Sequence, residues 1–107
     1  MINFGQPRVG DKDYAAFSNA KFPTQYRHVH RQDMVPHNPS SGVPFYFWHT
    51  AFEVYEDETG YKMCDASGED PTCGDKWWAV QLGVGDHLNY MGSCMGSTCG
   101  QCPAKAP

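Results

Sequence analysis

The chain has 107 residues and a formal net charge of −4, from 8 basic and 12 acidic side chains. A chain of this length forms one domain or part of one, and its core buries a modest share of its surface. Because it has no basic cluster, it lacks the electrostatic signature of nucleic-acid binding and of binding to anionic membranes. No apolar run approaches the roughly 20 residues that span a bilayer. No signal-peptide pattern follows Met1, so we expect an intracellular chain or one whose N-terminal part lies outside this sequence.

The cysteines favour an oxidising compartment. The chain contains 5 of them, and because the number is odd, one thiol is free or has its partner outside the chain. The five are Cys64, Cys73, Cys94, Cys99 and Cys102.

The first 30 residues predict a strand, a helix and a second strand. Residues 1–4 are apolar and stop at a glycine, as at the end of a buried strand. Asp11 can cap a short helix over residues 12–19, which Phe22-Pro23 would end. Residues 26–30 are interpreted as an alternating segment bounded by polar residues, which predicts a second strand. A strand, helix and strand of these lengths favour a parallel crossover.

The middle of the chain predicts a β-hairpin. Residues 45–48 form an aromatic run and residues 52–55 alternate in polarity. The polar stretch 56–60 would form the turn, and residues 61–64 would form the returning strand.

The rest of the chain is less regular. Residues 65–75 predict a polar loop, and residues 76–81 a short helix or irregular structure. Residues 93–107 are small, polar and rich in cysteine, which favours a disulfide-tied or loose tail. The tail contains Cys99-Gly100-Gln101-Cys102. A redox motif needs a βαβ context and a zinc site needs a second pair, so we favour disulfides or an unstructured tail.

Asp33 and His87 are candidates for an acid and a base of a catalytic triad. Asp33 follows the predicted strand 26–30, and catalytic groups collect at the carboxyl edge of open α/β sheets. A serine hydrolase needs a base near its nucleophile and a carboxylate that orients the base. The order of Asp33 before His87 is that of the α/β-hydrolases, in which the serine comes first, on a G-x-S-x-G turn. Ser18 is the only serine before Asp33, and no serine of the chain lies in such a frame.

Three motifs together resemble the class 3, or fungal-type, lipases. They are Phe4-Gly5-Gln6-Pro7-Arg8-Val9-Gly10, Asp33-Met34-Val35-Pro36-His37 and Asp86-His87-Leu88-Asn89-Tyr90, in the order and at the spacing of that family. The resemblance covers roughly residues 2–92. It implies an α/β fold in which residues 1–92 are the C-terminal part of an α/β-hydrolase domain, with parallel strands, a crossover helix and a β-hairpin. Residues 93–107 would be a Cys-rich tail.

The resemblance also implies a chemistry. Asp33 and His87 would belong to a Ser-His-Asp triad that hydrolyses carboxylic esters such as triacylglycerols, with no metal or organic cofactor. The chain would supply the acid and the base only, and would be inactive alone. A Cys64–Cys73 disulfide and secretion are further expectations from the family. Cys94 or Cys99 would bridge to an N-terminal segment outside the chain.

Two alternatives stay open. The missing serine and the odd cysteine also fit a catalytically dead, secreted, cysteine-rich binding protein, which would fold without esterase activity. Feruloyl-type esterases share the same resemblance and differ in substrate.

Other side chains favour structural roles. His28 and His30 would face the same side of a strand, where two hydrogen-bonded histidines are more frequent than a metal site. His37, His49 and Asp86 are interpreted as structural. The aromatic residues 45–48, with Trp77 and Trp78, could line an acyl pocket, although core packing is the favoured interpretation for most of the rings.

Overall fold

The computed structural model describes residues 1–96. Its main sheet has four strands in the order β1-β2-β3-β4, formed by Ile2–Phe4, Tyr26–His30, Glu53–Asp57 and Gly60–Met63. β1 pairs with β2 in parallel, β2 pairs with β3 in parallel, and β3 pairs with β4 in an antiparallel hairpin. A mixed sheet of this kind is the predicted α/β architecture, and the parallel β1–β2 pairing confirms the predicted crossover.

The crossover helix α1, Lys12–Lys21, begins at the predicted residue and extends two residues beyond the predicted end at residue 19. The carboxylate of Asp11 accepts a hydrogen bond from the backbone of Tyr14 at 2.9 Å, which satisfies one of the amide groups that the first turn leaves unpaired. The chain leaves the helix at Phe22, whose N–H donates to the carbonyl of Ser18. Pro23 follows, and proline cannot continue a helix.

The buried face of the sheet combines a small apolar cluster with buried charge. Val29, Tyr55 and the two sulfurs of the Cys64–Cys73 disulfide form the cluster. Beside it, the guanidinium of Arg27 is 1% exposed and donates to the carbonyls of Thr50 at 2.7 Å and Gly68 at 2.9 Å. Because a buried charge is costly unless it is hydrogen-bonded, the two carbonyls stabilise the guanidinium. The same two bonds hold the loops that carry Thr50 and Gly68 against the sheet.

The hairpin turns more tightly than the polar run at residues 56–60 predicts. β3 continues through Glu56 to Asp57, and only two residues separate it from β4. The side chain of Asp57 accepts hydrogen bonds from the N–H of Thr59 at 2.8 Å and from its hydroxyl at 2.6 Å. This local capping lets a charged residue end the strand, which polarity alone does not reveal.

After the disulfide loop, the chain consists of short turns and one small hairpin. The 3-10 turns Gly74–Lys76 and Ala79–Gln81 account for the segment predicted as a short helix or irregular structure. A further 3-10 turn, Gly85–Leu88, leads into β5, Asn89–Tyr90, which pairs with β6, Ser93–Cys94. This hairpin spans the predicted boundary between residues 92 and 93, and the boundary stays a prediction. Cys99 and Cys102 of the predicted tail lie outside the described residues.

Core packing is the wrong interpretation for half of the six rings of the aromatic cluster, and the other three are half-buried. Phe45 is 58% exposed, Tyr46 is 59% exposed and Trp78 is 78% exposed, because their loops lie outside the sheet rather than on its buried face. Within residues 1–96, no helix is long and apolar enough to span a membrane.

Candidate active site

Asp33 lies directly beyond the carboxyl end of β2. The chain turns sharply after His30, and the N–H of Asp33 donates back to the His30 carbonyl at 3.0 Å. Arg31 adopts a left-handed backbone conformation, with φ of 46°, in this turn. The side chain of Asp33 is fully buried, and its Oδ1 accepts a hydrogen bond from the N–H of Val35 at 2.8 Å. The carboxylate is therefore held in a fixed orientation with Oδ2 directed away from its own loop.

His87 meets Asp33 across 54 positions of sequence. It lies in the 3-10 turn Gly85–Leu88, and its Nδ1 is 2.9 Å from Oδ2 of Asp33. A carboxylate only accepts, so Nδ1 carries the proton and donates it to Asp33. The imidazole is 32% exposed, and its Nε2 hydrogen bonds with none of residues 1–96. The fold thus brings the two predicted site residues together, with one ring nitrogen held and the other available.

Tyr90 completes the hydrogen bonding of Asp33 and was not among the predicted site residues. Its hydroxyl donates to Oδ2 of Asp33 at 2.5 Å and accepts from the N–H of His30 at 3.3 Å. Tyr90 is 1% exposed. Burial, followed by the hydrogen bond to Asp33 and its negative charge, raises the pKa of Tyr90, so the phenol remains a donor. Tyr90 lies in β5, and its only signal in the sequence is its place in the Asp86-His87-Leu88-Asn89-Tyr90 segment.

Asp86 fixes the turn that carries His87. Its carboxylate accepts a hydrogen bond from the backbone of Gln32 at 3.1 Å, and its carbonyl lies 3.0 Å from Nδ1 of His30. Gly83 forms a parallel bridge with Asp33 in the same region. These contacts connect the two loops of the candidate site, so Asp86 has a structural role next to the candidate base His87.

His49 supports the Asp33 loop from the buried side. It is 4% exposed, and its Nε2 donates to the carbonyl of Pro36 at 2.5 Å. Burial, and then the positive charge of Arg27, lower the pKa of His49 to about 3. His37 also bridges two segments, with Nδ1 at 3.1 Å from the Asp33 carbonyl and Nε2 at 3.0 Å from the Gly74 carbonyl.

Arg8 links the loop after β1 to the same region. It makes two hydrogen bonds to the carboxylate of Glu69, at 2.6 and 2.9 Å, and donates to the carbonyls of His37 at 2.6 Å and Pro39 at 3.0 Å. Asp75 lies 3.5 Å from the same guanidinium. The family-like segment around Arg8 therefore has a structural role beneath the Asp33 loop.

The remaining histidines of the sequence prediction, His28 and His30, lie on the half-buried side of β2. The ring of His28 packs against Phe4, with centroids 4.9 Å apart, and against Tyr61 at 6.1 Å. In the described part of the chain, the one group of side chains with the spacing of a metal site joins Glu53 to Cys64 and Cys73. The sulfurs of Cys64 and Cys73 form a disulfide, so neither is available as a thiolate ligand.

This arrangement can move a proton. A buried carboxylate that accepts from Nδ1 fixes the tautomer with a basic Nε2 and stabilises the imidazolium that forms when Nε2 takes a proton. The acid–base half of a serine-hydrolase triad has this geometry. A nucleophile next to Nε2 would complete it.

A family model, described as lipase (class 3), matches residues 1–42. No curated protein matches the sequence significantly.

Solved structures of fungal lipases match most of the chain. Lipase II from Rhizopus niveus aligns with a TM-score of 0.79 and 28% identity, covering 90% of this chain and 36% of that one. The lipase of Rhizopus microsporus var. chinensis aligns with a TM-score of 0.76 and 29% identity, covering 88% and 32%. A triacylglycerol lipase whose catalytic centre is formed by a serine protease triad aligns with a TM-score of 0.76 and 27% identity, covering 90% and 37%. The chain thus has part of the α/β-hydrolase fold of these enzymes and spans about a third of their length.

Proposed function

We propose that the chain supplies the acid and the base of a lipase triad, because its first 42 residues match the class 3 lipase model and its fold is similar to that of fungal lipases. The observation that carries the proposal is the 2.9 Å contact between Nδ1 of His87 and the fully buried Asp33. His87 takes the proton of a serine hydroxyl as the serine attacks an ester carbonyl, and then gives it to the leaving alcohol. Asp33 orients the ring and stabilises its charged form.

The nucleophile comes from a segment outside these 107 residues, since no serine here lies in a G-x-S-x-G frame. β1 pairs with β2 on one side only, so among the described strands its outer edge is open. A further parallel strand at that edge would end at the same carboxyl side as Asp33, where a strand-to-helix turn would present the serine to Nε2. On this proposal the chain alone hydrolyses no ester.

The substrate is a lipid ester, by similarity to the triacylglycerol lipase with the serine protease triad. The Cys64–Cys73 disulfide supports a secreted protein, because disulfides persist in oxidising compartments. The same acid–base pair would serve a feruloyl-type esterase, and the substrate-binding region would distinguish the two.

The test begins with the transcript. Its 5′ end is mapped, and the reading frame upstream of Met1 is inspected for G-x-S-x-G. The protein encoded by the extended frame is then assayed on a triglyceride emulsion, on p-nitrophenyl butyrate and on methyl ferulate, beside the 107-residue chain. We expect the extended protein to hydrolyse the lipid esters and the short chain to be inactive.

Two variants assign the roles in the extended protein. His87→Ala and Asp33→Asn should each lower kcat by about 10⁴-fold, because the first removes the base and the second removes the group that fixes its tautomer. His28→Ala is the matched control, since its Nδ1 is buried without a hydrogen bond within the described residues. Full activity of His87→Ala, or a transcript that begins at Met1 with no upstream frame, would overturn the proposal.

A further inference from the structure

Gly5 lies against the Asp33–His87 pair. It follows β1 directly, its N–H donates to the carbonyl of His28 at 2.9 Å, and its φ is +66°, in the left-handed region. This conformation turns the chain across the carboxyl end of the sheet, so that the α-carbon of Gly5 comes close to the hydrogen bond between the two side chains.

The contact leaves no room for a side chain. A Cβ at position 5 would lie 2.7 Å from Nδ1 of His87, 2.8 Å from its Cε1 and 2.9 Å from Oδ2 of Asp33. Nδ1 and Oδ2 are the two atoms of the hydrogen bond between His87 and Asp33, and Cε1 is the ring carbon next to Nδ1. Separations below 3.0 Å are far inside van der Waals contact, so any side chain would displace the imidazole or the carboxylate.

Neither partner can move freely to make room. Asp33 is fully buried and holds three donors, from Val35, His87 and Tyr90. The turn that carries His87 is anchored through Asp86 to Gln32. The ring of His87 is less constrained than the Asp33 carboxylate, so a side chain at position 5 would rotate the ring and break its hydrogen bond to Asp33.

We propose that Gly5 is a positioning residue for the acid–base pair: the bare α-carbon at this turn sets the separation and orientation at which His87 donates to Asp33. This inference rests on the proposed function for its catalytic meaning. It adds that the end of β1, the strand next to the open edge, holds the base in place.

The test follows the Nδ1 proton of His87 by NMR in the 107-residue chain, labelled with ¹⁵N in histidine. A proton donated by an imidazole to a buried carboxylate resonates far downfield, and its signal needs no nucleophile. Gly5→Asn is the informative variant, because asparagine tolerates the left-handed region better than other residues but still adds the Cβ. Gly96→Asn is the matched control, with φ of +60° and a nearest atom at 3.4 Å, in Leu88 rather than in the pair.

We expect the wild type and Gly96→Asn to show the downfield signal, and Gly5→Asn to fold and lose it. If Gly5→Asn kept the signal at the wild-type position, or failed to fold while Gly96→Asn folded, Gly5 would not be a positioning residue. If the wild type itself lacked the signal, the Asp33–His87 pair and the proposed function would fail instead. In the active extended protein, Gly5→Asn should lower kcat with little change in KM, since the pair and not a substrate contact is altered.

Discussion

At the scale of single residues, the candidate site depends on the hydrogen bonds that the carboxylate of Asp33 accepts. Asp33 is fully buried, and a buried charge without hydrogen bonds would cost several kcal/mol. Its oxygens accept from a backbone amide, an imidazole and a phenol. The sequence motifs predicted the imidazole, because His87 lies in a recognisable segment. The phenol could not be assigned in the same way, since a tyrosine in a motif says nothing about its partner until the fold is known.

The role of Tyr90 can be measured by removing its hydroxyl. Tyr90→Phe should lower the free energy of unfolding by about 2 kcal/mol, because a buried carboxylate loses one of its donors. Tyr61→Phe is the matched control, as its hydroxyl is 3.4 Å from Glu56 and its ring is 56% exposed, and it should change stability little. Urea unfolding of both variants compares them. Equal stability of Tyr90→Phe and wild type would show that the phenol contributes nothing to the carboxylate.

His49 gives a prediction about pH. The pKa of its buried ring is lowered to about 3, whereas an unfolded chain titrates near 6.5. Between these values the unfolded chain binds the extra proton, so the contribution of His49 to stability falls as the pH is lowered from about 6.5 towards 3. Relative to His49→Gln, the wild type should therefore lose up to about 1.4 kcal/mol per pH unit across this window. Parallel curves of unfolding free energy against pH for the two proteins would contradict this.

At the scale of elements, sequence reasoning succeeded where a local rule decides the structure. Capping by Asp11 and the Phe22-Pro23 break define helix α1, and β2 forms where it was predicted, although its buried face carries Arg27 beside Val29. It was less accurate at the hairpin turn, where Asp57 stays in the strand through its own side-chain bonds. It was wrong for the exposed rings of loop 45–48, because aromatic content does not tell which face of the molecule a loop covers.

The disulfide loop is an element whose stability can be tested directly. The Cys64–Cys73 bond closes a loop with a sequence separation of 9 beside the apolar cluster of the sheet. Replacing both cysteines by alanine should lower the free energy of unfolding by roughly 2–4 kcal/mol, mainly by releasing the unfolded chain. Unfolding in urea with and without dithiothreitol is the measurement. Reductant should destabilise the wild type and leave the double variant unchanged, which separates this bond from the other cysteines.

At the scale of the whole molecule, a network of charges joins segments that are distant in sequence. Arg8 holds Glu69 and approaches Asp75, and its remaining donors reach the carbonyls that follow the Asp33 loop. The N–H of His49 also donates to Glu69, at 3.0 Å. Composition could not predict this network, because a net charge of −4 says nothing about which charges are buried together.

The two carboxyl groups of this network respond to pH in opposite ways. Burial, and then the hydrogen bond and charge of Glu69, raise the pKa of Asp75 to about 8. Although burial alone would raise it, the hydrogen bond and charge of Arg8 lower the pKa of Glu69 to about 2. We predict from these opposite shifts that near neutral pH the pair shares one proton, which Asp75 holds beside the Glu69 carboxylate that Arg8 neutralises.

Asp75→Asn tests this sharing, because an amide donates to Glu69 as the protonated acid does and cannot ionise. In the wild type the unfolded chain loses the Asp75 proton near its ordinary pKa of about 3.9, while the folded chain keeps it up to about 8. The folded chain binds more protons in this window, so the contribution of Asp75 to stability is complete at the acid end and is lost as the pH rises. Relative to Asp75→Asn, the wild type should become less stable from pH 4 to pH 8, by at most about 1.4 kcal/mol per unit. Asp13→Asn, which removes an exposed carboxylate from α1, controls for the change in net charge. If the curves of the wild type and Asp75→Asn ran parallel over this range, Asp75 would be ionised in the folded chain, and Arg8 would neutralise two carboxylates instead of one.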